Sequence, residues 1–278
     1  MRRVVAYWAD EYDWRRSEAA INRFKNYRAP VDGLDVHFIL EHGSGKNPKP
    51  IILTHGWPGS IIEFLGVIEP LAHLERFGGR EEDAFTVIVP SIPGFGYSQA
   101  PSAPITLRDV ARMWHMLMVD HLGVPSFFAQ GGDMGSILSS WMAFDYPEHV
   151  AALHLNSIGT GFLVVPEVDQ QTPEEQEWVP RNSAWRHPED GYRTQQGTRP
   201  QTLAYGLTDS PVGLLAWIIE KFHQWTLPGD TRDPPFDQDE LLANVMLYWI
   251  AGPNAASWYY IPVRRGPTFF LPCLPMTR

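Results

Sequence analysis

The chain has 278 residues, 44% of them hydrophobic and 19% charged, and carries a net charge of −10. That length buries a sizeable core as one large domain or a domain with an insertion, while the acid excess argues against nucleic-acid and acidic-membrane partners, because Lys and Arg are outnumbered and unclustered. A single cysteine, Cys273, excludes an intrachain disulfide framework and a cysteine-rich metal site, so no metal or cofactor is expected and a reducing cytoplasm is the expected home.

No apolar run approaches the roughly 18 residues of a membrane span, and the amino terminus lacks the apolar stretch of a secretory signal. Residues 1 to about 30 are amphipathic and Trp-rich, with Tyr7-Trp8 and Tyr12-Asp13-Trp14-Arg15, and predict a short helical lead-in. From Gly33 the pattern alternates through Leu34 to Leu40, and the Gly/Lys/Asn/Pro cluster at 43–50 marks a turn. Ile51 to Thr54 forms a short apolar strand that runs into the loop His55-Gly56-Trp57-Pro58-Gly59-Ser60, followed by helical spacing over 60–74. Phe85 to Val89 is the next strand, and it leads into a second loop, Pro93-Gly94-Phe95-Gly96-Tyr97-Ser98. Thr106 to Leu122 predicts an amphipathic helix closed by Gly123, Gly135 to Tyr146 a helix stopped by Pro147, and Val150 to Asn156 one more strand.

Short, nearly all-apolar strands alternating with helices predict a parallel sheet covered on both faces. Ligands of such sheets collect beyond the carboxyl ends of the strands. From about 160 the alternation stops. Pro- and Glu-rich connections at 166–180 and 227–239 separate helical stretches at Pro211 to Trp225 and Asp239 to Ala251, which predicts an inserted helical cap. The tail, 262–278, has room for one strand around Thr268 to Leu271.

Chemistry concentrates in Phe127-Phe128-Ala129-Gln130-Gly131-Gly132-Asp133-Met134-Gly135-Ser136. A buried strand ends in two glycines, presents one acid and passes through a third glycine into a helix. Small neighbours permit the sharp turn of a nucleophile elbow, which pushes one side chain out at the carboxyl end of a strand. An Asp before a helix is also an ordinary N-cap, and local sequence leaves both readings open.

The loops at 55–58, 93–98 and 131–135, each following a predicted strand, together resemble the α/β-hydrolase superfamily, and specifically the epoxide hydrolases of the microsomal type. Tyr12-Asp13-Trp14-Arg15, Asp32 to Phe38, Gly191-Tyr192-Arg193-Thr194-Gln195 and Asp209 to Leu214 are similar to that subgroup too, so the resemblance covers about residues 5 to 260. It implies a remnant of an amino-terminal segment at 1–32, an α/β-hydrolase core at 33–159 with a mostly parallel sheet, a helical cap at 160–260, and the start of a return to the core at 261–278. The last strands of the core are expected to be missing.

The resemblance implies that Asp133 opens an epoxide to give an alkyl-enzyme ester, which water then hydrolyses to a vicinal diol. A carboxylate with a pKa of about 4 is already ionised at neutral pH and needs no base to attack. Ring opening leaves an alkoxide, so O–H donors must meet the oxygen as charge develops. By resemblance these are Tyr192 and one of the pair Tyr259-Tyr260, with Tyr259 favoured on spacing; Tyr260 and Phe95 then line the substrate site. The backbone N–H groups of Trp57 and Met134 are the candidate oxyanion donors, His55 is structural, and the Trp57-Pro58 bond is a candidate cis peptide. The substrate is expected to be a small apolar epoxide, with water as the second reactant.

One part of the pattern is absent. The family's water-activating His and its acid partner lie beyond the cap, and no histidine follows His223, so neither has a matching position. A truncated reading and a persistent ester are the resulting expectations, together with an exposed apolar sheet edge. Two other functions fit parts of the pattern. A haloalkane dehalogenase shares the Asp nucleophile but favours Trp donors, and here Met134 follows the Asp; a non-catalytic homologue would keep only an apolar ligand pocket.

Overall fold

A computed structural model describes residues 1–157, 169, 171–226 and 236–261. The expected strand at 268–271 and the connection at 227–235 lie outside the described residues.

Two short helices, α1 (Arg2–Asp10) and α2 (Trp14–Asn22), open the chain. The lead-in is not helical throughout, because residues Lys25–Val31 form strand β1, paired antiparallel with β2 (Leu34–Glu41). Asp32 and Gly33, both at positive φ, make the tight two-residue turn whose twist suits a hairpin. The sheet continues with β3 (Lys49–Thr54), β4 (Phe85–Pro90), β5 (Phe127–Gly131) and β6 (Val150–Leu155) in the order β1-β2-β4-β3-β5-β6. β2 meets β4 antiparallel, and β4, β3, β5 and β6 run parallel.

The four parallel strands need crossovers. These are supplied by α3 (Leu65–Ala72), α4 (Leu107–Met116) and α5 (Met134–Asp145). Helix α4 begins with a capping box between Thr106 and Asp109, and it loosens into a π-helical turn at Leu117–His121 before Gly123 ends it in a left-handed conformation. Its inner face, Val110, Ala111, Met113 and Trp114, is buried, and Trp114 donates its indole N–H to Thr54 Oγ1 at 3.2 Å. In contrast, residues 151–154 on β6, at the edge of the described sheet, are exposed.

The cap comprises α6 (Pro173–Glu189), α7 (Gly191–Thr198), α8 (Pro200–Asp209), α9 (Pro211–Trp225), α10 (Gln238–Ala251) and α11 (Asn254–Ser257). Helix α6 extends through part of the stretch that composition marks as a connection, with Pro180 and Pro188 inside it. No single described helix is long and apolar enough to cross a membrane. The first helices brace the cap: α2 packs on α10, and Tyr7 donates its hydroxyl to Asp239 Oδ1 at 2.7 Å.

Candidate active site

The bend after β5 is forced by close backbone contact. Any Cβ on Gly131 would collide with the carbonyl group of Gly135, and any Cβ on Gly135 with the carbonyl oxygen of Thr54 on β3. Asp133 sits at the tip with φ 50 and ψ −121, a backbone conformation that costs a non-glycine residue of order 1–3 kcal/mol and that persists only where the surroundings enforce it.

Although Asp133 occupies the N-cap position of α5, its side chain makes no capping bond to that helix. It turns instead to the loop after β3, where the Trp57 N–H donates to Asp133 Oδ1 at 2.9 Å. The N–H of Met134 lies near enough to the same carboxylate to lower its pKa, so Trp57 and Met134 both favour its charged form. Gly56 makes this approach possible, since a side chain there would occupy the place of the carboxylate. Protein surrounds Asp133 but leaves it open to the cleft. That burial raises its pKa from the ordinary carboxylate value, and the two N–H groups pull in the opposite direction.

An aromatic cluster is joined to the carboxylate through Trp57. Trp57 stacks on Tyr192, with centroids 4.8 Å apart and planes 5° from parallel, and meets Trp225 and Tyr260 edge-on at 6.1 and 6.0 Å. Tyr192 and Tyr260 meet edge to face with ring centroids 5.6 Å apart. Burial, followed by the charge of Asp133, raises the pKa of Tyr192. Tyr260 is likewise raised, first by burial, with Tyr192 and Asp133 adding to it.

Tyr259 is placed differently from the expectation. Its hydroxyl donates to the Pro93 carbonyl at 2.8 Å, and its ring packs on Phe95 at 6.0 Å. Neighbouring positions in the 3-10 turn Trp258–Tyr260 point about 120° apart, so only one of two adjacent tyrosines can face the cleft. That one is Tyr260. Phe95 is 2% exposed and packs on His55, Tyr248 and Tyr259, so it supports the site from behind rather than joining the cluster around Trp57.

His55 ties the two loops together. Its Nδ1 lies 3.2 Å from the Gly56 carbonyl, and its Nε2 accepts from the Ile92 N–H at 3.2 Å. Burial lowers its pKa to about 4, which keeps the imidazole neutral as those bonds require. His37 is also lowered to about 4 by burial, and its ring contacts Ser91 and Asn26 at 2.9 Å. Each depressed folded pKa stabilises the fold fully above the unfolded value of about 6.5, and that contribution is lost as pH falls from there towards 4, by about 3 kcal/mol per residue. Urea midpoints should therefore drop across this window, and His37→Asn should fall less steeply than the parent; parallel curves would sink the assignment.

Sequence reasoning missed four neighbours of the site. Trp217 and Trp225 complete the aromatic wall. Lys221 places its ammonium 5.4 Å from the Tyr192 ring centre and 3.3 Å from Glu189. Glu63, on the 3-10 turn Ile61–Phe64 that follows the loop at 55–60, is close enough for the charge of Asp133 to raise its pKa. The helical spacing that identified α9 also carried Trp217, Lys221 and Trp225, but nothing in it showed that α9 leans over the elbow.

Comparison with known proteins identifies the family. The family described as "Epoxide hydrolase N terminus" matches residues 1–64, and the "alpha/beta hydrolase fold" family matches residues 49–188. A relative in Stigmatella aurantiaca is 44% identical, over 91% of this chain and 58% of that protein. "Epoxide hydrolase 1" of Oryctolagus cuniculus is 35% identical, over 97% of this chain and 64% of that protein. The chain thus spans about three fifths of the length of these relatives. Among solved structures, the Aspergillus niger epoxide hydrolase superposes with a TM-score of 0.80 at 30% identity, covering 95% of this chain and 67% of that one.

Proposed function

Because the chain belongs to the epoxide hydrolases of the α/β-hydrolase fold, we propose that it opens a small apolar epoxide by attack of Asp133 and forms an alkyl-enzyme ester on the way to a vicinal diol. The observation that carries this reading is the Asp133 carboxylate: held at one oxygen by Trp57, unused as a helix cap, and near enough to Tyr192 and Tyr260 for its charge to raise both phenols.

The oxygen that Trp57 holds cannot easily leave its donor, so the other oxygen attacks the epoxide carbon. The held oxygen then becomes the ester carbonyl, already seated among donors for the later tetrahedral oxyanion. Tyr192 and Tyr260 serve as the O–H donors to the epoxide oxygen. Their raised pKa values keep the phenols protonated at neutral pH, so they can share or give a proton as the C–O bond breaks. The rings of Trp57, Tyr192 and Trp225, stacked and edge-on, give the site an apolar wall that suits an apolar substrate.

The direct test is to incubate the protein with a styrene-oxide-like epoxide and measure intact mass. An increment equal to the epoxide, mapped to the peptide containing Asp133, is expected; a protein that neither gains mass nor releases diol would refute the reading.

The tyrosines give a sharper comparison. Tyr192→Phe and Tyr260→Phe should each slow ester formation roughly a hundredfold, the usual effect of deleting one transition-state donor. Tyr259→Phe should leave the rate within a few-fold and instead cost about 1–2 kcal/mol of stability, because the buried Pro93 carbonyl loses its donor. If Tyr259→Phe and Tyr260→Phe exchanged these effects, Tyr259 would be the donor.

A further inference from the structure

Ring opening leaves a buried cation of the cap without a role. Among the described residues Lys221 is the one Lys, Arg, Asp or Glu that is buried, at 6% exposure, and a lysine is rarely buried so deeply unless it is paired. Its ammonium lies 3.3 Å from Glu189 Oε2 and 2.7 Å from Glu220 Oε2. The Glu189 side chain is itself mostly covered, whereas that of Glu220 is half exposed, so Glu189 is the partner that belongs to the interior.

The pair is built into the aromatic wall. Trp217, Lys221 and Trp225 recur at every fourth position of α9 and therefore share one face of it. Glu189 ends α6 and Tyr192 is the second residue of α7, and the break between those helices brings both to that face. The Lys221 ammonium stands 5.4 Å from the centre of the Tyr192 ring and 5.7 Å from that of Trp225. Glu189 Oε2, the oxygen that meets Lys221, also accepts the indole N–H of Trp225 at 3.0 Å, and Trp225 meets Tyr192 edge-on at 5.1 Å. Tyr192 is therefore held by Trp57 from the loop after β3 and by Lys221 and Trp225 from the cap. Turning the ammonium or the indole away breaks a bond to the same carboxylate.

We propose that Lys221, clamped by Glu189, is a positioning residue for Tyr192: it holds the ring against Trp57 and stabilises the charge that the phenol takes on during ring opening. The inference deepens the reading above and rests on Tyr192 as a donor to the epoxide oxygen.

Lys221 itself transfers nothing. As Asp133 bonds to the epoxide carbon and the C–O bond breaks, the phenol proton shifts towards the leaving oxygen and the ring becomes more negative. A cation over a ring is attracted by its electron density, so Lys221 binds the phenolate-like ring more tightly than the resting phenol. An interaction that is stronger in the transition state than in the ground state raises the rate without tightening the substrate.

Single-turnover consumption of styrene oxide, with the full chain in excess and its concentration varied, gives the ring-opening rate and the half-saturating concentration. Lys221→Met keeps the unbranched apolar stem of the side chain and removes its charge. It should lower the rate about tenfold, the size of one desolvated contact of this kind, and move half-saturation less than about twofold, the mark of an interaction made only in the transition state. A double-mutant cycle then separates positioning from general loosening of the cap. In a Tyr192→Phe background no phenol is left to assist, and the same substitution should change the rate less than about twofold. In a Tyr260→Phe background it should keep its full effect. Should Lys221→Met fail to fold, Lys221→Met combined with Glu189→Gln takes its place in the cycle, because that pair leaves no buried charge unpaired and keeps an acceptor for Trp225. A wild-type rate in the Lys221 variant, or an equal loss with and without the Tyr192 hydroxyl, overturns the role of Lys221 and leaves that of Asp133 standing. A wild type that consumes no epoxide, or a Tyr192→Phe protein as fast as the wild type, overturns the reading on which the inference rests.

Discussion

Asp133→Ala is expected to abolish covalent capture of the epoxide, lowering the rate by about 10⁴–10⁶-fold, the scale seen when a nucleophile is deleted from an intact site. Asp133→Asn is the more informative partner. Its amide fits the same space but cannot displace oxygen from carbon, so it should be equally inactive. It should nevertheless be the more stable protein. In the wild type desolvation raises the pKa of this carboxylate and so disfavours its charged form; the amide removes the charge and leaves the strained backbone unchanged. The stability gap has a predictable pH dependence. Because the folded pKa of Asp133 is raised, the wild type loses stability relative to the variant as pH rises through that value, and the two converge below the unfolded pKa of about 4. Melting temperatures at pH 7 and pH 4 check this. A less stable Asn variant at both would mean that the carboxylate is a structural ligand of Trp57 and not a group kept ready for chemistry.

Features set by backbone crowding were readable from sequence. Three glycines around one acid predicted a turn too tight for side chains, and Gly131 and Gly135 do meet backbone atoms where a Cβ would stand. The loop His55 to Ser60 was readable because the short apolar strand before it fixed where the chain would emerge, and its Trp57-Pro58 bond is cis. Orientation was harder. Tyr259 and Tyr260 differ by one position, and which of them faces Asp133 depends on the 3-10 turn at Trp258–Tyr260, whose conformation spacing does not encode. Strand β1 was hidden because Lys25–Val31 pairs through its backbone and is mostly exposed, so it lacks the apolar alternation that marks a buried strand. In α6, two internal prolines obscured a helix that continues past them. Glu63 was invisible for another reason: an acid early in a helix is ordinary chemistry for a helix start, and only the fold brings it beside Asp133.

Gly135→Ala is expected to be the most damaging change that touches no reacting atom. The added methyl group has nowhere to go, because its place is taken by the carbonyl of Thr54, with that of His55 close behind. Both are backbone atoms at the end of β3, which is hydrogen-bonded to β4 on one side and β5 on the other, so no side chain can rotate to make room. Overpacking a core typically costs 1–3 kcal/mol even where side chains can adjust, and a backbone collision should cost about 3 kcal/mol or more, a large share of the 5–15 kcal/mol that holds a typical domain together. Gly206→Ala provides the contrast. Gly206 lies within α8, with open space where its Cβ would stand, so alanine should stabilise it by about 0.5–1 kcal/mol. Chemical denaturation of the two variants therefore separates crowding from helix propensity. If Gly135→Ala falls within 1 kcal/mol of the parent, β3, β5 and α5 are not in backbone contact at the elbow. The strained conformation of Asp133 would then have lost the framework that enforces it, and the carboxylate its fixed aim at Trp57.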